Sequence, residues 1–194
     1  MTNDSIPVTL TPPAPFSWDA LSKFKQTPFP PDYSANVRRF YSPQDNVKGA
    51  FMSLVASATS SLLVSMYGED DPDLTALIVK HAVDPKVFVQ VNLDKTQAAG
   101  KGEIPLVAQL KGCPATRLAI GTSRYGAINH LKMAVIDGLY TLSGSTNWST
   151  GGEAKQNNEA SILMGRAEAH EASIILTLEH QEMLAQMARA AATA

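Results

Sequence analysis

The residues able to do chemistry gather in one stretch of thirty, His130 to Glu159, which reads HLKMAVIDGLYTLSGSTNWSTGGEAKQNNE. His130 and Lys132 are one residue apart, so on a strand both side chains point to one face and Leu131 to the other. An apolar run, Met133 to Ile136, follows, and Asp137-Gly138 is a strong hairpin signal. Leu139 to Leu142 then forms a return strand ending in Gly144-Ser145-Thr146-Asn147. A hairpin brings its two ends together. His130 and Lys132 are therefore expected beside Ser145 and Asn147, with Glu159 joining from downstream. An imidazole, an ammonium, a hydroxyl and a carboxamide in one volume suit a phosphodiester: donors for its non-bridging oxygens, a nucleophile for phosphorus and an acid for the leaving oxygen.

Written as a pattern, H-x-K-x4-D-x6-G-S-x-N runs without a gap from His130 to Asn147 and resembles the signature of the phospholipase D (HKD) superfamily. The resemblance implies an α/β/α sandwich around a mixed, largely parallel sheet, and a metal-independent centre with no cofactor. It assigns His130 as the nucleophile that forms a phosphohistidine, and Lys132 and Asn147 as donors to the non-bridging oxygens. Ser145 is expected to donate a hydrogen bond to phosphate, and Glu159 to orient the histidine. Asp137, in a turn about 20 Å from His130 by strand rise, is read as shaping that turn, and Gly144 as structural. A histidine bonded to phosphorus cannot also protonate the leaving group, so a second acid is needed on the opposite side. The chain holds one H-x-K. Short nuclease-like members of the superfamily meet this need with two identical chains, and a twofold homodimer with a shared centre is expected.

Composition narrows the classes. The 194 residues suit one domain of ordinary size with ample apolar content for a core. A formal charge of −2 gives no global field for polyanions, so any nucleic-acid contact needs a local basic patch. Cys113 is the only cysteine, which excludes an internal disulfide and a cysteine-rich zinc module, and no metal site is suggested. No basic start followed by an apolar core opens the chain, and serines and threonines interrupt the apolar segment Phe51 to Met66. A cytoplasmic location is the resulting expectation.

The elements that must hold the site follow from pattern. Residues 1–34 concentrate prolines and aromatics and read as an arm with one short amphipathic turn near Trp18 to Phe24; residues 35–194 read as the catalytic domain. Strands are expected at Val37 to Tyr41, Ser61 to Tyr67, Lys86 to Leu93, Ala115 to Ile120 and Ala160 to Met164. Between them lie a helix begun by Ser42-Pro43, one capped by Asp71 with Pro72 in its first turn, and a short one from Glu103 to Lys111. Asp94 to Gly102 reads as a flexible connection. A final helix, Ala167 to Ala191, carries an apolar stripe at Ile174, Ile175, Leu178, Met183, Leu184 and Met187. Repeated strand-helix-strand units imply parallel strands under helices, with sites at strand C-termini.

Substrate class is less legible. Lys95, Arg124 and Tyr125 are the candidates for gripping a polyanion, and Trp148 either stacks on substrate or packs under its turn. A nuclease is the leading reading. A phospholipase or phosphatidyl transferase shares the same centre, and a catalytically silent nucleic-acid-binding or assembly module is the reading from another class.

Overall fold

The computed structural model describes residues 16–113 and 117–193. The chain alternates strands and helices: β1 (Val37–Ser42), α1 (Val47–Val55), β2 (Ser61–Met66), α2 (Pro72–Ala82), β3 (Phe88–Asp94), α3 (Lys95–Ala98), α4 (Glu103–Gly112) and β4 (Arg117–Gly121) come first. They are followed by β5 (Lys132–Ile136), β6 (Tyr140–Gly144), α5 (Thr150–Ala154), β7 (Asn158–Met164) and α6 (Arg166–Ala192). The strands form one mixed seven-stranded sheet in the order β1-β7-β6-β5-β2-β3-β4. Parallel pairing is confined to β2, β3 and β4, while the β5–β6 hairpin and its neighbours pair antiparallel. The expected mixed sheet between helical layers is therefore present, but it is not largely parallel: β1, β7, β6, β5 and β2 pair antiparallel in turn, and only β2, β3 and β4, which helical crossovers join, run parallel side by side.

Strand alternation sorts the two faces. Leu62, Val64 and Met66 of β2 join Ala134 and Ile136 of β5 on one face, under Phe51 and Leu54 of α1 and Leu74 and Ile78 of α2. On the other face, Leu63 and Val135 meet Ala169, Ala172 and Leu176 of α6. That second face also carries Ser65, Gln90 and Asn92, all buried, so the helix side that covers it is mixed: Leu176 and Met183 with Glu179 and His180. The stripe read from the sequence is correspondingly rotated. Ile174, Ile175 and Leu178 lie on the exposed side of α6, and of that stripe only Met183 is fully buried.

Caps account for several boundaries. Asp71 caps α2 by accepting from Asp73 and Leu74 backbone N–H groups, with Pro72 at its first position, as the pattern indicated. The helix expected from Ser42-Pro43 starts later, because Asn46 supplies the cap, accepting from Gly49 N–H at 2.8 Å. The connection expected after β3 begins as α3, since Asp94 caps it through Thr96 and Gln97 N–H. Residues 16–34 pack on the core: Leu21 is buried, and Phe16, Trp18, Phe24 and Phe29 cover its edge. The prolines through Pro15 and the start of the Ala115 strand lie outside the described residues. Among the described residues no helix is long and apolar enough to cross a membrane.

Two carboxyl clusters give this fold a pH signature. Asp137, at positive φ in the hairpin turn, accepts from the backbone N–H of Thr59, Ser60 and Ser61 and from the Thr59 and Ser60 hydroxyls. Burial pushes its carboxyl up, but these donors outweigh that and hold it below the ordinary value. Glu69 and Glu153 are the opposite case: burial first, then the charge of Asp71, pushes each up to about 8. Between about pH 4.5 and 8 the folded chain holds protons there that the unfolded chain has lost, so stability falls as pH rises through this window. Glu153→Gln is expected to be more stable than wild type at pH 8 and to lose that advantage near pH 4.5, as read by denaturant midpoints. Asp137→Ala is expected to cost about 2 kcal/mol at pH 7, because it leaves backbone donors of residues 59–61 unpaired, with the same kcat.

Candidate active site

The site forms at one end of the sheet. The C-terminal ends of β2, β3, β4 and β6 and the N-terminal end of β5 meet there, while Asp137 sits at the opposite end of β5. The hairpin register pairs Met133 with Ser143, so one step further out Lys132 faces Gly144. On its other side Lys132 pairs with Met66. Gly144 has a φ of 151°, and a Cβ there would collide with the Glu159 carbonyl, so only glycine lets β6 and β7 approach this closely.

His130 lies just before β5 and is exposed. Its ring meets Tyr67 edge to face with centroids 4.8 Å apart, and among the described residues its nitrogens make no hydrogen bond. Lys132 is 5% exposed, with its ammonium 4.7 Å from the Tyr67 ring centre and donating to the His130 carbonyl at 2.9 Å. Burial lowers the Lys132 pKa, and the charge of Asp94 partly offsets this. With a single protein acceptor among the described residues, the ammonium has donors to spare, which is what an incoming anion needs. Both groups thus lie against the Tyr67 ring, whose hydroxyl accepts from Gln97 Nε2 at 3.0 Å. Tyr67 directly follows β2, at the strand C-termini where the sequence pattern places the site.

Ser145 is exposed; its Oγ donates to Asn158 Oδ1 and accepts from Glu159 N–H, both at 3.0 Å. The Asn147 side chain lies against Gly68, where a Cβ would come within 3.4 Å of its Cγ. Its Oδ1 is buried without a partner and its Nδ2 makes no hydrogen bond among the described residues. The structure therefore brings His130, Lys132, Ser145 and Asn147 to one end of the sheet. Glu159 is not brought to His130. Its carboxylate is held by Arg39 Nε at 3.0 Å and by the Ser161 hydroxyl, because β7 alternation turns it toward the Ser161 face.

Trp148 does not stack on substrate: it is fully buried, packed 6.1 Å from Phe51 and bridged by its backbone to Gly68, Asp70 and Asp71. The short helix α5, capped by Ser149, follows it. Lys95, Arg124 and Tyr125 are all exposed on segments that follow β3 and β4 at the same sheet end, with the Arg124 side chain 74% exposed and Tyr125 91%. A cleft of about 560 Å3 opens beside Ser145, lined by Tyr41, Ser42, Gln44, Asn157, Asn158 and Glu159. Its two carboxylates, Asp45 and Glu159, are each paired with a cation, Lys25 and Arg39.

Comparison with known proteins agrees with this geometry. The sequence model of the family described as cardiolipin synthase, PLD-like domain, matches residues 51–176. The mitochondrial cardiolipin hydrolase of Xenopus laevis is 29% identical over 126 residues, covering 63% of this chain, and the match spans 56% of that relative's length. Among solved structures, Nuc from Salmonella typhimurium, a phospholipase D family member, superimposes with a TM-score of 0.69 at 20% identity, covering 75% of this chain and 94% of its own. NucT from Helicobacter pylori does so at 0.65 and 20% identity, covering 76% and 94%. With the H-x-K pair and the G-S-x-N turn set at the end of this sheet, and the family's sequence model spanning both, the chain belongs to the phospholipase D-like family.

Proposed function

We propose that the chain is a metal-independent phosphodiesterase, a nuclease, acting through a phosphohistidine in a site shared by two copies. The observation that carries this reading is the pairing of an exposed imidazole, free of hydrogen bonds among the described residues, with a buried ammonium that has donors to spare, both against one tyrosine ring. An imidazole nitrogen of His130 attacks phosphorus, forming a P–N bond as the P–O bond to the leaving group breaks. The partner subunit's His130 gives its proton to that oxygen. Water then attacks phosphorus, the P–N bond breaks, and the partner subunit's His130 takes the proton from water. Lys132 and Asn147 Nδ2 of both chains hold the non-bridging oxygens and bear the charge that grows there.

Polynucleotide is favoured as substrate by the short format, in which the chain spans 94% of both Nuc and NucT. It is also favoured by the exposed Lys95, Arg124 and Tyr125 at the site's end of the sheet. A phospholipid diester is the second reading, favoured by the name of the Xenopus relative. Against it, the exposed face of α6 sets Ile174, Ile175 and Leu178 beside Glu171 and Glu182, unlike the lysine- and arginine-rich face of a helix that lies on anionic bilayers.

In excess EDTA, wild type is expected to cleave bis(p-nitrophenyl) phosphate and plasmid DNA, and His130→Ala to lose about 10^3-fold or more in kcat. Cleavage of the aryl ester and of anionic phospholipid vesicles, with DNA untouched, would move the assignment to the lipid reading. Binding of DNA unchanged by His130→Ala, with no turnover by wild type, would instead mark a silent binding module. The shared centre has its own test. When wild type and His130→Ala are mixed in equal amounts and allowed to exchange subunits, random pairing leaves about a quarter of the activity; retention of half would show that each chain works alone.

A further inference from the structure

The structure assigns Glu179, on α6, and Asn129 as positioning residues for His130, linked through Ser65 by a chain of buried hydrogen bonds. The inference rests on the proposed role of His130 and extends it to residues that no spacing in the motif points to. Asn129, 3% exposed, is tied down on three sides. Its backbone N–H donates to Asp94 Oδ2 at 2.7 Å, its Nδ2 to Ser65 Oγ at 2.9 Å, and its Oδ1 accepts from the Leu131 N–H at 3.2 Å. That last bond closes a loop over His130, so the histidine's backbone is held between two fixed neighbours.

The anchor lies in the helix. Ser65, fully buried, accepts from Asn129 and donates to Glu179 Oε2 at 2.6 Å, and Asn92 Nδ2 donates to the same oxygen at 3.1 Å. Asn92 is in turn held by His180 Nδ1 at 2.6 Å and by the Leu176 carbonyl at 2.9 Å. A hydroxyl that donates to a carboxylate must offer its lone pairs elsewhere, so Glu179 sets the direction in which Ser65 accepts and thereby the rotamer of Asn129. The Asp94 arm reaches the same segment from the other side: Asp94 caps α3, whose Gln97 donates to the Tyr67 hydroxyl, and the Tyr67 ring meets the His130 ring edge to face. Buried polar groups of this kind are costly unless fully paired, and here the pairing ends on the residue before the nucleophile.

Three variants are compared with His130→Ala on bis(p-nitrophenyl) phosphate, at a temperature well below each melting midpoint. Glu179→Ala is expected to lower kcat about ten- to a hundredfold with KM within about twofold, since a misplaced nucleophile hurts the chemical step more than binding. Glu179→Gln, which keeps an acceptor for Ser65, is expected to restore most of kcat. Ser65→Ala, a smaller change, repeats the loss if Glu179→Ala does not fold. Wild-type kcat in folded Glu179→Ala or Ser65→Ala, with His130→Ala inactive, would reduce the network to a stabilising one and overturn the assignment while leaving the histidine chemistry intact. Full activity of His130→Ala would remove the reading on which the assignment rests.

Discussion

The proposed mechanism requires an imidazole and an ammonium side by side with their polar ends free, on a backbone that cannot move. β5 meets this constraint by lying in the middle of the sheet, hydrogen-bonded to β2 on one side and β6 on the other. Leu131 extends the ladder by one more bond, its carbonyl accepting from Tyr67 N–H at 2.8 Å, and beyond it His130 leaves the sheet for solvent. Lys132 therefore opens the paired strand, while His130 sits just beyond it, where regular pairing stops and water can reach its ring. Asp137 secures the other end of the same hairpin by gathering the N–H groups of residues 59–61, so both ends of β5 are tied to the β2 side.

The two sheet faces divide the labour. The face under α1 and α2 is apolar and supplies most of the core. The face under α6 carries Ser65, Gln90, Asn92 and Ser161, and each has to find a partner once water is excluded. α6 answers with Glu179, His180 and the Leu176 carbonyl, which is why its buried side is not its most apolar side. A layer that looks like packing in outline is thus a polar network joined to the site.

These facts explain what was legible in the chain. The hairpin, the α2 cap and the strand-helix alternation depend on near neighbours in sequence, through turn chemistry and period, and they appear where the pattern placed them. The convergence of His130, Lys132, Ser145 and Asn147 was legible for the same reason, since one hairpin brings them together. Glu159 was misplaced because its direction depends on strand alternation in β7 and on Arg39, a residue 120 positions away across the sheet edge. Trp148 was ambiguous for want of Phe51, and the α6 stripe misled because hydrophobicity alone cannot reveal a polar surface waiting on the sheet. Tyr67 and Asn129 needed partners brought from β2, α3 and α6, contacts that no local spacing encodes.

The central claim is a covalent bond between His130 and phosphorus, and trapping it is the most direct measurement. Wild type mixed with excess aryl phosphodiester, quenched in alkali within the first turnover and digested for mass spectrometry, is expected to yield the peptide containing His130 with the mass of one phosphoryl monoester, labile to acid. Steady turnover with that peptide unmodified at every quench time, in a protein whose activity survives His130→Ala, would contradict the account.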